Sequence, residues 1–343
     1  LVRREARSIV IMEEDPARVP PEEKIACVRE ADRAAWSMDP LVVQVKVVYG
    51  DGTRDVFVAN SLGYEARDRR DSIVFVVQAI VRDDSLVETG YEPVGGCRGF
   101  ELLREIPPER IARTAIGRAL AMLSARKAPA GIMPVVLSSE AGGTMIHEAI
   151  GHGLEADLAG EGLSVYSGKI GQQVASSAIT VIDDATIPGL RGSYGCDDEG
   201  SPSARTVLVE RGVLKGYMTD LITSRKYGLP LSGNGRRESY RHRPIPRMTN
   251  TMIAPGPMNP DDIIRSASRG LFVKKMGGGQ VNTVTGDFVF NVAEGYLIEN
   301  GSVGEPVRGA TLIGNGPRIL ASIELVGNDL GFGIGTCGKD GQG

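Results

Sequence analysis

Apolar side chains recur at helical spacing in two stretches of the first third of the chain. The first stretch predicts an amphipathic helix over residues 22–38, because charged residues separate its apolar positions. A second helix is predicted from Pro107 and Pro108 to Lys127, since proline suits a first helical turn and apolar residues follow at helical intervals. The apolar positions of the first stretch are Ile25, Val28, Ala31 and Ala35.

Strand patterns lie between these helices and again after them. β-branched residues on both sides of Gly50-Asp51-Gly52 predict a hairpin, and residues 71–81 predict a further strand. After residue 128 short strand patterns alternate with glycine-rich turns, and Arg211-Gly212 and Asn300-Gly301 each separate two predicted hairpin arms. We therefore expect an α+β protein whose second part is a curved, mainly antiparallel sheet or barrel.

Near residue 128 the sequence changes to short strand patterns separated by glycine-rich turns, and we take this change as a domain boundary. Residues 1–127 are predicted to belong to an N-terminal domain, and residues 128–343 to form a C-terminal domain. Leu1 is not an initiator methionine, and the chain stops at Gly343 within a glycine-rich phrase. We therefore expect a segment of a longer protein, with the first domain incomplete and the second truncated at its end.

The composition excludes several classes of protein. The chain is 41% hydrophobic and 24% charged, and it has no apolar run of the roughly 18 residues typical of a membrane helix. With 39 basic against 43 acidic residues, the net charge of -4 gives no cationic field for binding nucleic acid. Four scattered cysteines and the lack of a signal peptide indicate a reducing cytoplasm, where thiols stay free as ligands.

The candidate chemistry centres on two histidines. Of only three in the chain, His147 and His152 lie close together, and Glu148 follows the first in the pattern HExxxH. Residues five apart differ by about 140° around a regular α-helix, so the two imidazoles would point to different faces. Sharing one metal ion requires a π-bulge or a helix end at Gly151, and we predict such an irregularity. The alternative is a pair of packed, hydrogen-bonded core histidines.

A third ligand has several candidates, including the cysteines, the acidic residues and His242. Cys337 stands out because its glycine-rich surroundings allow close approach of the backbone, and Lys339 is expected to favour its thiolate form. A buried inert thiol is the alternative. The same stretch matches GxGxxG, but no βαβ pattern surrounds it, which argues against a nucleotide site.

Two polar segments are weaker candidates for substrate binding. Arg237, Tyr240 and His242 belong to a segment whose side chains suit a substrate carboxylate or a tetrahedral oxyanion, although a solvated loop or structural ion pairs explain the segment equally well. The acidic residues 197–199 could bind a histidine N–H or a peptide amine, but we expect them to form an exposed acidic turn.

Seven motifs in residues 128–343 together resemble the TldD/PmbA family. They are HEAIGHGLEAD (147–157), DDEGSPS (197–203), GNGRRESYRHRPIPRMTNT (233–251), GGGQV (277–281), GATLIGNG (309–316), VGNDL (326–330) and GIGTCGKDGQ (333–342). The N-terminal part resembles the family more loosely. The HExxxH pattern is similar to that of TldD-type subunits, whereas the PmbA (TldE)-type partners lack it.

The resemblance implies a zinc metallopeptidase that cuts small or unfolded peptides with low sequence selectivity. His147, His152 and Cys337 match the family's metal ligands, and Glu148 matches its catalytic glutamate. It further implies an α/β N-terminal domain before a mainly antiparallel β domain that carries the metal-binding helix. Members act as homodimers or as heterodimers with a PmbA (TldE)-like subunit.

Two other functions stay open at this point. A peptide-binding or scaffold subunit could use the metal only to hold the segment that carries Cys337. A non-peptidase amidohydrolase could use the same residues on a small cyclic or acyl substrate. The family's old label, modulator of DNA gyrase, suggests an activity on DNA that the charge balance does not support. We expect neither nucleic acid nor membrane as a partner.

Overall fold

A long antiparallel meander forms the first part of the fold in the computed structural model, which describes residues 2–5 and 12–343. Leu1 and residues 6–11 of the predicted first domain lie outside the described residues. Strand β3 is central, with β2 and β4 antiparallel to it and β1 parallel to it. The strands are β1 (Val2–Glu5), β2 (Val42–Ala59), β3 (Tyr64–Asp83) and β4 (Leu86–Gly96).

Strand β2 runs without a break through Gly50-Asp51-Gly52, so the hairpin predicted there is wrong. These three residues pair with Val74, Ile73 and Ser72 of β3. The chain turns later, at Gly63, which has a φ of 83°. Because β3 is long enough to pair with both halves of β2, the Gly-Asp-Gly backbone keeps ladder partners that a two-residue turn would remove.

Helices α1 and α3 cover one face of the meander, and both helices predicted from the sequence are confirmed. Phe75 of β3 and Ile111 and Ile116 of α3 are buried in the shared core. A side chain at Gly90 of β4 would collide with the carbonyl oxygen of Ala115, so this strand and this helix approach closely. The helices of this part are α1 (Pro21–Ser37), α2 (Leu102–Glu105) and α3 (Pro108–Ser124).

The second part contains a six-stranded sheet, a four-stranded sheet and a short ribbon of β10 and β11. The six-stranded sheet consists of β5 (Arg126–Lys127), β6 (Val135–Leu137), β13 (Arg269–Val281), β14 (Asp287–Glu299), β15 (Ser302–Arg308) and β16 (Thr311–Asn315). The other strands are β7 (Val181–Asp184), β8 (Arg205–Glu210), β9 (Val213–Leu214), β10 (Gly235–Arg236), β11 (Ile245–Pro246) and β12 (Thr251–Ile253).

Most strand pairs of this part are antiparallel, and both predicted hairpins are confirmed. Arg211-Gly212 joins β8 to β9, and Asn300-Gly301 joins β14 to β15, with positive φ at all four residues. Such turns follow the right-handed twist of the strands they connect. The protein is therefore α+β, as predicted. Its remaining helices are α4 (Ser139–Ile146), α5 (Ala156–Gly160), α6 (Leu221–Tyr227), α7 (Pro260–Ser266) and α8 (Gly316–Ser322).

Ion pairs of two buried cations join the first part of the fold to the second. Arg118 of α3 contacts Glu92 of β4 at 2.9 Å and Glu294 of β14 at 2.7 Å. Lys275 of β13 contacts Glu92 at 3.0 Å and Glu140 of α4 at 2.8 Å. The contacts fix β13 and α4 relative to the meander. Within the described residues, none of the helices has both the length and the apolar character needed to span a membrane.

Candidate metal centre

The HExxxH motif lies where helix α4 changes its winding. Ser138 caps α4 by accepting a hydrogen bond from Ala141 N. A π-helical turn follows over His147–Gly151, in which the amide of His152 donates to the carbonyl of His147, and a 3-10 turn then covers His152–Leu154. The predicted helix irregularity is confirmed.

The wider turn brings both imidazoles to one place. The ring centroids of His147 and His152 lie 4.7 Å apart with an angle of 85° between the ring planes. One ligand atom from each of His147, Glu148, His152 and Cys337 can be chosen so that all four lie within 4.8 Å of one another. The π-turn thus removes the angular mismatch that a regular helix imposes on this spacing.

Cys337 reaches the histidines from the C-terminal tail, residues 333–343. Its Sγ lies 3.1 Å from His152 Nε2. Arg247 holds the tail by donating from Nη2 to the carbonyl of Cys337 at 2.8 Å, and the amide of Glu238 donates to Oε1 of Gln342 at 3.0 Å. The tail therefore has its own anchors at the cysteine and at Gln342.

The second nitrogen of His152 has a carboxylate partner. His152 Nδ1 lies 3.1 Å from Oε2 of Glu155, whose side chain is fully buried. Lys339 Nζ lies 3.1 Å from the same oxygen and also donates to Asp157 at 2.7 Å and to the carbonyl of Pro246 at 3.2 Å. The ammonium group therefore contacts two carboxylates and a carbonyl, whereas the sequence predicted that it would favour the Cys337 thiolate.

The two histidines have opposite protonation preferences. Burial, reinforced by the neighbouring His152, lowers the pKa of His147 to about 4. Burial also lowers the pKa of His152, but the hydrogen bonds to Cys337 and Glu155 outweigh it and raise this pKa to about 10. Burial raises the pKa of Glu148. The low pKa of His147 favours the neutral imidazole that a metal ligand must be, whereas His152 must release a proton before it can bind a metal.

A metal ion fits this donor set. Among the described residues, His147 Nε2 is a buried nitrogen with no hydrogen-bond partner. Leaving such an atom unpaired is unfavourable unless a ligand completes it. Imidazole nitrogens and a cysteine sulfur are donors that zinc takes, and three such ligands leave a fourth position for substrate or water.

Tyr166 and Ser164 support the π-turn from outside the helix. The Tyr166 hydroxyl donates to the carbonyl of Ala149 at 2.8 Å, and the Ser164 hydroxyl donates to that of Gly153 at 2.6 Å. Both carbonyls lie in the π-helical and 3-10 turns, where the regular hydrogen-bond pattern of an α-helix has ended. A side chain at Gly153 would collide with the Tyr166 ring, so the tyrosine also packs on the turn.

Replacing Tyr166 with Phe is expected to lower the free energy of unfolding by about 1–3 kcal/mol, because the buried carbonyl of Ala149 loses its donor. Urea unfolding measures this effect. Tyr240→Phe is the matched control, since Tyr240 is 77% exposed, and we expect a change within about 0.5 kcal/mol. Equal effects of the two substitutions would contradict a supporting role for Tyr166.

A cavity of about 1950 Å³ opens beside the metal centre. His147, Glu148 and Cys337 line it, as do the glycines 277–279 of β13. His152 is not among the described residues that line it, and its side chain is mostly buried. The cavity therefore reaches one face of the cluster, while His152 and Glu155 support the cluster from behind.

The three predicted substrate-binding residues lie in different environments. Arg237 lines the cavity, and its Nε is buried without a hydrogen-bond partner in the described structure. Tyr240 and His242 are absent from the described residues that line the cavity. The Tyr240 hydroxyl accepts from Arg241, and His242 Nδ1 lies 3.0 Å from the hydroxyl of Ser239.

The acidic residues of the DDEG segment are not an exposed turn, so that expectation is wrong for Asp197 and Asp198. Both are buried. Asp197 accepts from the amides of Ser201 and Gly235, and Asp198 forms an ion pair with Arg70 of β3 at 3.0 Å. Asp197 thus holds the backbone of β10, and Asp198 accepts from the amide of Arg237, the cavity-lining residue that follows β10.

Sequence reasoning assigned no role to Glu155 or Arg247, although both support the site. Glu155 follows His152 by three residues, a spacing that places two side chains on one helical face and was a usable signal. Arg247 had no such signal, because its contact with Cys337 joins segments 90 residues apart.

Comparisons with known proteins identify similar domains and similar relatives. A family model described as the PmbA/TldA metallopeptidase C-terminal domain matches residues 130–341, and one described as the central domain matches residues 14–123. The chain is 42% identical over 328 residues to a metalloprotease TldD homolog of Haemophilus influenzae, covering 94% of this chain and 68% of that protein. It is 34% identical over 214 residues to a zinc metalloprotease TldD homolog of Saccharolobus solfataricus, covering 62% and 48%.

Solved structures have the same fold. A protein of Thermotoga maritima described as a modulator of a DNA gyrase matches with a TM-score of 0.83 and 27% identity, covering 95% of this chain and 74% of that one. TldE from Thermococcus kodakarensis matches with a TM-score of 0.75 and 21% identity, covering 96% and 74%. At that identity the second match shows the fold alone.

Proposed function

Because this chain belongs to the PmbA/TldD family of metallopeptidases, we propose that its metal is zinc, that His147, His152 and Cys337 hold the ion, and that Glu148 is the catalytic base. The observation that carries this proposal is the buried, unpartnered Nε2 of His147 within a cluster of four potential ligands. The printed name of the Saccharolobus solfataricus relative supports the choice of zinc.

The proposed ligand set is that of a catalytic site, since three protein ligands leave one position open. When bound, zinc supplies a Lewis acid that lowers the pKa of water and polarises the scissile carbonyl. Glu148 faces the cavity, and its carboxylate oxygens lie 4.0 Å from His147 Nε2 and 3.9 Å from His152 Nε2. It is therefore close enough to the ligand nitrogens to act on groups bound between them.

Glu148 moves the proton in this proposal. Its carboxylate accepts a proton from the attacking water and later donates that proton to the leaving amine. Burial raises the pKa of Glu148, which makes the carboxylate a stronger base than an exposed one.

We propose that peptides bind in an extended form along β13. Strand β6 pairs with one edge of β13 only at residues 271–273, and no other described strand pairs with that edge. Beyond it, the glycines 277–279 line the cavity without side chains that would block approach. Main-chain pairing recognises any sequence, which supports low side-chain selectivity. Arg237 is the proposed partner of a substrate carboxylate.

We also propose a dimer, formed either with a second copy or with a PmbA (TldE)-like subunit, in the cytoplasm. The family membership supports the dimer. All four cysteines lie in the described part of the chain and are free thiols, which supports a reducing compartment. Light scattering of the purified protein, alone and with a co-expressed TldE-like subunit, measures the assembly.

The test combines metal analysis with peptide digestion. We expect about one zinc per active chain, cleavage of an unfolded peptide mixture detected by mass spectrometry, loss of cleavage on chelation and its return when zinc is added. A scaffold predicts that chelation lowers the melting temperature of a protein that cleaves nothing. An amidohydrolase predicts zinc without cleavage of any peptide in the mixture.

A further inference from the structure

We propose that the buried ion pair between Lys339 and Glu155 positions two metal ligands at once, by fixing the orientation of His152 and seating the tail that carries Cys337. Neither residue touches the proposed metal position, so both are positioning residues. This inference rests on the proposed function, because it concerns the same metal site.

Glu155 determines which nitrogen of His152 faces the site. A carboxylate only accepts hydrogen bonds, so the proton shared over the 3.1 Å contact belongs to His152 Nδ1. With Nδ1 turned to Glu155, Nε2 points to Cys337 Sγ, also at 3.1 Å. Once Nε2 has released its proton, a ligand histidine held in this way presents the Nε2 lone pair to a metal without having to rotate.

A fully buried carboxylate needs a compensating charge, and Lys339 provides it. Glu155 has no exposed side-chain surface, and Lys339 has 9%. Arg247 Nε lies 3.9 Å from Oε1 of Glu155, and Oε1 has no hydrogen-bond partner within the described part of the chain. His152 is neutral when it binds a metal, so Lys339 at 3.1 Å is then the closer of the two side chains that stay positively charged.

Lys339 also determines where Cys337 lies, because only one residue separates them in the tail. Its ammonium is bound by Glu155, by Asp157 and by the carbonyl of Pro246, which belong to two separate segments. Two hydrogen bonds and a buried ion pair hold the ammonium in place. The cysteine is consequently placed beside His152 before any metal arrives.

The test uses the full chain and compares Lys339→Met with Lys339→Arg. Cobalt(II) is titrated into metal-free protein, and its charge-transfer absorption with the cysteine sulfur reports coordination by Cys337. We expect Lys339→Met to weaken cobalt binding by about 10–100-fold, the cost typical of removing the group that orients a ligand. Lys339→Arg keeps the charge and is expected to restore most of the affinity.

A second readout follows the tail without metal. The rate at which iodoacetamide modifies Cys337 in metal-free protein, measured by peptide mass mapping, is expected to rise in Lys339→Met and to stay near the wild-type rate in Lys339→Arg. Lys215→Met is the matched control. It removes an exposed ion pair with Glu210 and is expected to change neither cobalt binding nor Cys337 modification.

The outcomes separate this inference from the proposed function. Wild-type protein that binds no metal would overturn the proposed function and this inference with it. Metal binding by wild type, together with unchanged cobalt affinity and unchanged Cys337 modification in Lys339→Met, would overturn this inference alone. A general loss of folding would lower the cobalt affinity of Lys339→Met and Lys339→Arg alike. Rescue of the affinity by arginine therefore supports a positioning role for Lys339.

Discussion

Glu148→Gln is expected to retain the metal and to lower kcat/KM for peptide hydrolysis by roughly 10²–10⁴-fold, the usual contribution of a general base. The amide has nearly the same shape as the carboxylate but cannot accept the proton of water. The proposed ligands His147, His152 and Cys337 stay unchanged, so metal content should stay at the wild-type level. Metal analysis and peptide kinetics on the same preparation measure both quantities.

The control for this variant is Glu324→Gln. Glu324 also lines the cavity, but it is exposed and lies outside the four-residue cluster. We expect it to leave both metal content and hydrolysis near wild type. If Glu148→Gln kept full hydrolysis, Glu148 would not be the base. If it lost the metal, the side chain would be a ligand instead, since one of its oxygens belongs to the cluster.

Cys337→Ser is expected to release the metal. A serine hydroxyl stays protonated at neutral pH and is a poor ligand, whereas a cysteine sulfur binds zinc strongly. The loss of affinity should exceed the roughly 10–100-fold cost of removing a supporting partner of a ligand. Hydrolysis should fall in proportion to metal occupancy and recover in part at high zinc. Competition with a chelator of known affinity measures the change.

Cys27→Ser is the matched control for the cysteine. Cys27 is a half-buried free thiol of α1, and it takes no part in the cluster near the histidines. Its replacement should leave zinc affinity and hydrolysis unchanged. Equal zinc affinity of Cys337→Ser and wild type would show that the sulfur is not a ligand, and would leave the two histidines without the proposed third partner.

Local features of the fold follow from the sequence where one segment supplies enough information. The helix starting at Pro21 and the turns at Arg211-Gly212 and Asn300-Gly301 agree with prediction, because side-chain periodicity and positive φ act over a few residues. The hairpin predicted at Gly50-Asp51-Gly52 is wrong because the segment depends on a distant partner. Pairing with β3 makes it part of a strand, and local turn propensity does not reveal that pairing.

The metal centre likewise has one feature that follows from the local sequence and others that depend on the tertiary structure. The spacing of His147 and His152 by itself determined that a shared site needs a distorted helix, since the angle per residue is a property of the backbone. The sequence singled out Cys337 by its glycine-rich surroundings and its family motif, but only the tertiary structure placed its sulfur beside His152, because 185 residues separate the two and the packing of the tail brings them together. The tertiary structure also decided that Lys339 pairs with Glu155 instead of the thiol, since burial requires that carboxylate to have a counter-charge.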